Sequence, residues 1–370
     1  DPCAMVSELK TSQKQLLEIS RALHENAKLL ILDEPTTALS TQEVEHLFGI
    51  LRKLKAQGHS FIFISHKMPE IFEVADRYTV LRNGLFISDG NISETTPHQI
   101  ATDMVGEQYL DKDYYEKRPL GETLVELKHF TGKGFSDVSL SVRKGEIIAF
   151  TGLAGSGASE LMQTMFGVLP MEGGSIRVGS KVIRGAINRF MRCGFAMLPS
   201  NRKENSVVPD MNILENTCLA EHTLSRRRQL ILPKKETERY EALKKLLWIK
   251  AGSSSDSILS LSGGNQQKVF LARWLNTKAD VLLLDNPTQG VDVGAKAEIY
   301  RLILEFANQG MTVIINTLEI PEIKKVSDRC VVFFEGRVAK IFERDEINEH
   351  DVMLYSTNAI NARIGVNHAG

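Results

Sequence analysis

Eight residues, Gly152-Leu-Ala-Gly155-Ser156-Gly157-Ala158-Ser159, have the types and spacing of a loop that holds a phosphate. They fit G-x-x-x-x-G-K-[ST] at every fixed position but one, because Ala158 stands where a lysine is expected. Glycines let successive backbone N–H groups face an anion at the start of a helix. The Ser159 hydroxyl is a candidate ligand for Mg²⁺. Without the lysine, the loop has no point charge for the outer phosphates. Nucleotide binding is expected here, with little hydrolysis.

Carboxylates are the next chemistry-bearing group. Asp33 and Asp285 each end an apolar run and precede a Pro-Thr turn, where a carboxylate can hold Mg²⁺. Glu34 follows Asp33 and is placed to orient or deprotonate an attacking water. His66 ends the next apolar run and is a candidate contact for the γ-phosphate and that water. A third element is Leu261-Ser262-Gly263-Gly264-Asn265-Gln266-Gln267-Lys268, ahead of a helix expected over 269–275. Ser262 alone would suffice as a helix cap. Two consecutive glycines weaken a backbone and are not needed for capping. Bare amides at a helix start make sense if they face another site's γ-phosphate.

These groups need strands and helices to hold them, and the chain supplies the set twice. Leu29-Leu-Ile-Leu-Asp33-Glu34-Pro35-Thr36 answers Val281-Leu-Leu-Leu-Asp285-Asn286-Pro287-Thr288, at 285 − 33 = 252. Asp76 answers Asp328 and Leu9 answers Leu261 at the same offset. A period this long signals duplicated domains. The second copy has Asn286 where the first has Glu34, and Leu318 where the first has His66 (66 + 252). Leu9-Lys10-Thr11-Ser12-Gln13-Lys14 lacks both glycines of its counterpart. A first-copy partner for Gly152 would fall at 152 − 252, before residue 1, so roughly half of the first copy is expected to be absent.

Strand and helix signals alternate around the motifs. Strands are expected over 29–33, 60–65, 146–151, 280–285 and 311–316, and helices from 160 and over 237–249, a parallel α/β pattern. The polar run Glu107 to Gly121 reads as a linker.

Composition narrows the class. The chain has 370 residues, 42% apolar and 25% charged, with a net charge of −1, which gives no reason to expect nucleic acid or an anionic membrane as partner. Four cysteines with no C-x-x-C or metal-ligand spacing suit reduced, buried thiols. No apolar run approaches the ~18 residues needed to cross a bilayer.

With Gly290-Val-Asp292-Val-Gly294-Ala-Lys296 added, these motifs resemble tandem ATP-binding-cassette ATPases, and among them the ribose, galactose and xylose importer type. The resemblance covers nearly the whole chain. It implies an α/β fold of P-loop NTPase cores with parallel sheet, plus antiparallel β and helical subdomains in the second cassette. It divides the chain into the later part of a first cassette (1–106), a linker (107–122) and a second cassette (123–370). It implies ATP and Mg²⁺ as cofactors, and an ATPase whose activity is poor in this chain, where the first phosphate loop is not found. The implied partners are transmembrane permease subunits and, through them, a solute-binding protein. Membrane contact is only through the permease, at the cytoplasmic face.

In that family each ATP lies between one cassette's phosphate loop and the other's signature. Asp33, Glu34 and His66 would share a site with Ser262, Gly263, Gly264 and Gln266. Gly152, Gly155, Ser156, Gly157, Ala158, Ser159, Asp285 and Asn286 would face Ser12 and Gln13. The losses then fall in one site and the intact residues in the other. The sequence departs from the family at Ala158, usually Arg, at Asn286, usually Glu, in Leu9 to Lys14, and in Pro199-Ser200-Asn201-Arg202-Lys203, where two acids are missing from a nucleotide-sensing turn. Phe130 and Phe135 are candidates to stack on adenine. A ribosome-acting tandem-cassette translation factor is the rival, but it would carry a long charged helical linker. A nucleotide-binding regulator without turnover is a third reading.

Overall fold

A computed structural model describes residues 5–6, 9, 11–24, 27–36, 39, 41–65, 67–82, 84–105, 114–153, 155–200, 206–225, 231–289, 291 and 293–359. The chain divides into two units, Asp1–Lys112 with Asp292–Gly294, and Asp113–Val291 with Ala295–Gly370.

In the first unit a parallel pair, β1 (Leu29–Asp33) and β2 (Ser60–Ile64), is followed by an antiparallel hairpin, β3 (Arg77–Arg82) and β4 (Leu85–Asn91). Four helices accompany them: Thr11–His24, Thr41–Ala56, Met68–Val74 and Pro97–Val105. Ile19, Leu32, Leu47, Phe48 and Leu51 form its main core. Period-2 alternation sends Leu30 and Leu32 inward and leaves Leu29, Ile31, Ile62 and Ile64 exposed.

The second unit begins with β5 (Thr123–Gly132), β6 (Phe135–Arg143) and β7 (Ile147–Gly152), then the helix Ala158–Phe166. Next come β8 (Met171–Val178), β9 (Lys181–Ile183) and β10 (Phe195–Leu198), then helices Ile213–Leu224, Pro233–Leu246 and Gly263–Leu275. It closes with β11 (Val281–Asp285), β12 (Thr312–Asn316), β13 (Arg329–Phe334) and β14 (Arg337–Glu343), interspersed with helices. Two sheets result. One is antiparallel, in the order β6-β5-β8-β9. The other runs β10-β11-β12-β7-β13-β14 and is parallel except at the β14 edge. Every residue of β7, β11 and β12 is buried, as strands covered on both faces require. Val281, Leu283 and Ile314 pack with Phe150, Leu161 and Phe190 on one face. Leu282, Leu284, Val313 and Ile315 pack with Val269, Phe270 and Ile303 on the other.

The 252-residue offset holds in the backbone. Leu29 pairs Ser60 as Val281 pairs Thr312. The irregularity between Val80 and Leu81 returns between Val332 and Phe333. The exposed Leu29, Ile31 and Ile62 correspond to Val281, Leu283 and Ile314, which the second unit buries.

Three expected boundaries move. The helix after the Ser262 motif starts at Gly263, not 269, so the motif is itself the first turn. The helix expected over 237–249 runs Pro233–Leu246, because Pro at the first helical position gives up an N–H with no partner there. The stretch expected as linker is packed from Tyr114 on. Arg118 pairs with the buried Asp328 and its Nε donates to the Gly145 carbonyl at 2.8 Å. The Tyr115 hydroxyl donates to Asp328 at 3.0 Å, and the Arg344 guanidinium lies 3.6 Å over the Tyr115 ring.

Cys218 and Cys330 are buried free thiols, while Cys193 is half-buried. Burial lifts Cys218 from 9.0 to about 11, with Glu236 adding to the rise, and burial lifts Cys330 to about 12. At pH 8 a thiol reagent should label Cys193 at least ~10²-fold faster than either, since the thiolate is the nucleophile. The raised values also set a sign. The unfolded chain loses these protons first, so stability holds below pH 9 and falls as pH climbs toward 11–12. Denaturant midpoints at pH 8 and pH 10 check this.

Candidate functional site

The glycine loop joins the buried strand β7 to the helix Ala158–Phe166. Two of its glycines are obligatory. Gly152 has φ 156°, and a Cβ there would meet Ser156 Oγ at 2.6 Å. Gly157, at φ 93°, caps the helix in the left-handed region, and a Cβ would run into the Gly134 carbonyl. Two hairpin turns brace the loop: Gly134 abuts Gly157, and the Gly336 N–H donates to the Ser156 carbonyl at 3.0 Å. Gly155 has open space around it. No side chain caps the helix start. Ala158 is buried in the apolar core, so this turn presents no cation.

Ser159 and Asp285, from a helix and a strand 126 residues apart in sequence, meet at the end of the sheet. Ser159 Oγ donates to Asp285 Oδ2 at 2.6 Å, and Gln163 Nε2 donates to Ser159 Oγ at 3.2 Å. The other carboxylate oxygen, Asp285 Oδ1, accepts from Asn316 Nδ2 at 2.7 Å and Asn286 Nδ2 at 3.2 Å. A hydroxyl and a carboxylate are the hard oxygen donors that Mg²⁺ prefers, so this pair fits the ion. Asn316 did not emerge from the motifs. Its only sequence signal is a polar side chain ending the apolar run Thr312-Val-Ile-Ile-Asn316.

The first unit repeats the geometry up to its substitutions. The Glu34 N–H donates to the Ile64 carbonyl at 2.9 Å, and the Asn286 N–H to the Asn316 carbonyl at 2.8 Å. Both residues are left-handed, at φ 47° and 48°. Asn tolerates that region, whereas Glu is strained in it. Asp33 is exposed at the end of β1. His66 lies outside the described residues, as do Asn201 to Lys203, Gly290 and Asp292. Ser12 and Gln13 stand in the first turn of the helix Thr11–His24.

The Ser262 motif divides into framework and open amides. Asn265 Oδ1 accepts from the Lys250 N–H at 2.8 Å, and Gln267 Nε2 donates to the Pro287 carbonyl at 2.7 Å. Lys268 is buried against Glu298. Gln266 also turns inward. Its Nε2 donates to the Leu261 carbonyl and to the Ile258 carbonyl, which also accepts from the Leu261 N–H. Ser262 occupies the cap position without a cap bond, and its Oγ accepts from Asn265. Exposed Ser262 and half-buried Gly263 remain to face a ligand. Phe130 and Phe135 cannot stack on adenine: both are buried in the core, ring against ring at 5.5 Å.

The profile of the family described as ABC transporter matches residues 135–289. A ribose import ATP-binding protein of Halalkalibacterium halodurans is 40% identical over 352 residues, 94% of this chain and 70% of that protein. A ribose import ATP-binding protein of Hahella chejuensis is 40% identical over 363 residues, 96% of this chain and 72% of that protein. The chain belongs to the ABC transporter ATPase family. Solved ABC cassettes share its fold. One in an ADP conformation has a TM-score of 0.53 at 22% identity, covering 61% of this chain and 93% of that one. A nucleotide-free cassette has a TM-score of 0.54 at 22% identity, covering 61% and 94%. In this ABC ATPase, no described helix is long and apolar enough to cross a membrane.

Proposed function

We propose that this ABC ATPase is part of the motor of a sugar importer, with two unequal nucleotide sites formed by tandem cassettes. The observation that carries it is the paired geometry at Glu34 and Asn286. One backbone position, in one strained conformation, holds an acid in the first copy and an amide in the second. Only the acid can act as a base toward water. Asp33, Glu34 and His66 carry the hydrolysing chemistry of the first cassette, and Ser262 and Gly263 are the open signature amides of the second. The Gly152–Ser159 loop with Asp285 holds ATP in the second cassette. Mg²⁺, when bound, supplies the positive charge that offsets the phosphates. Ser159 and Asp285 would hold it at the second site, and Asp33 at the first. ATP binding draws the cassettes together and hydrolysis resets them.

A tandem arrangement also accounts for the exposed Leu29, Ile31 and Ile62. Their equivalents are covered by the half-cassette that carries the glycine loop. A first cassette completed by such a half would bury them. The partners are transmembrane permease subunits at the cytoplasmic face of the membrane and, through them, a sugar-binding protein. Co-purification tests the partnership. The protein at the full length of its relatives should be retained on detergent-solubilised permease and not on ribosomes. Retention on ribosomes alone would favour the translation-factor reading.

A further inference from the structure

The two amides on Asp285 mark a second adaptation, and its meaning rests on the unequal-site reading above. We propose that Asn316 is a positioning residue that aims Asp285 at the glycine loop, so that the lysine-free site still takes metal-bound nucleotide.

A carboxylate has two equivalent oxygens, and which one faces a ligand depends on what holds the other. Asp285 is buried at the end of β11, where it pairs Asn316 of β12 across the strands. Asn316 is itself buried, 6% exposed, and held by a second pairing to Phe150 of β7. Its Nδ2 takes Asp285 Oδ1 at 2.7 Å, and Asn286 Nδ2 takes the same oxygen at 3.2 Å. Oδ2 is left directed at Ser159, 2.6 Å away. At the same register the first unit has Ile64, an aliphatic side chain with no donor, opposite Asp33. The device belongs to the unit whose glycine loop carries Ala158 where a lysine is expected.

Charge explains why the substitutions go together. Replacing the loop lysine by Ala158 removes a cation. Keeping an acid at position 286 would then leave two carboxylates beside the triphosphate. Asn286 removes one of them and adds a donor, and Asn316 adds another without adding charge. The metal becomes the main local counter-charge for the phosphates. The direction of its one buried carboxylate ligand therefore decides how well the loaded nucleotide is held.

The test is equilibrium binding of a fluorescent ATP analogue to the chain, in Mg²⁺ and in EDTA. Wild type should bind more tightly in Mg²⁺ by at least about tenfold, the scale of one hydrogen bond to a charged group. Asn316→Ile, which installs the first unit's residue, should bring that ratio to within about twofold of unity while the EDTA affinity stays within about twofold of wild type. A merely structural role would weaken both conditions alike. Asn316→Ser, smaller and too short to reach Oδ1, serves if the isoleucine variant does not fold, with the same expected loss. An unchanged Mg²⁺ ratio in the folded variant overturns the proposal, as does a parallel loss in both conditions. No binding to wild type in either condition would instead overturn the nucleotide reading of the second unit.

Discussion

Exchanging Glu34 for Gln in a protein with a complete first site lowers ATP turnover by ~10²-fold or more, the scale for removing a catalytic acid–base group. Asn286→Ala leaves turnover within a few-fold of the parent. The contrast follows from the backbone. Both residues sit directly after a strand-ending aspartate, hydrogen-bonded by their N–H to the neighbouring strand, in the left-handed region. That conformation costs an ordinary residue about 1 kcal/mol, and Asn less. Asn286 is the residue the backbone prefers, and Glu34 is kept against that preference. Retained strain at such a position points to work done by the side chain. Glu34→Asn should therefore match Glu34→Gln in lost turnover without lowering thermal stability. Turnover of Glu34→Gln within a few-fold of the parent would remove Glu34 from the chemistry.

Replacing Glu322 with Ala destabilises the second unit by about 3–5 kcal/mol, the usual cost of removing one partner from a buried charged network. Glu322 is a buried carboxylate that gathers three hydroxyls. Thr288 donates at 2.5 Å, Tyr300 at 2.7 Å and Thr317 at 2.7 Å, and Lys296 Nζ lies 3.4 Å away. Burial, and after it the Glu322 charge, holds the Tyr300 phenol far above its ordinary range, so it stays a donor. The hub ties the turn after Asp285 to the loop after β12. Its loss strands three buried donors, while Lys296 keeps Glu319 at 2.7 Å. The melting temperature should fall by roughly 10 °C in a unit of this size. Glu322→Gln keeps the shape and an acceptor and should cost less than half as much. A shift below ~2 °C for Glu322→Ala would show that the network contributes little. The first unit has the same joint: Thr36 donates to Glu70 at 2.6 Å and Lys67 pairs with Glu70 at 3.0 Å, one residue beyond His66.

Local chemistry was legible where it is written in consecutive residues. A glycine loop needs positive φ within a few positions, and Gly152 and Gly157 show it. Strands buried on both faces must be apolar throughout, which made Val281 to Leu284 readable as a central strand. Side-chain roles were less legible. Gln266 and Lys268 look alike as motif polar residues, yet one feeds turn carbonyls and the other pairs with Glu298, 30 residues away. Phe130 and Phe135 were plausible adenine platforms until the sheets closed over them.

Sequence alone determined that this protein has a duplicated plan with the acid and histidine in one copy and amide and leucine in the other, because backbone needs and strand periodicity are local and repeat at a constant offset. Only the tertiary structure decided which oxygen of Asp285 meets Ser159 and that Asn316 turns it. Those groups come from a helix and two strands, and their partnership is set by sheet register and burial, which no short stretch of residues encodes.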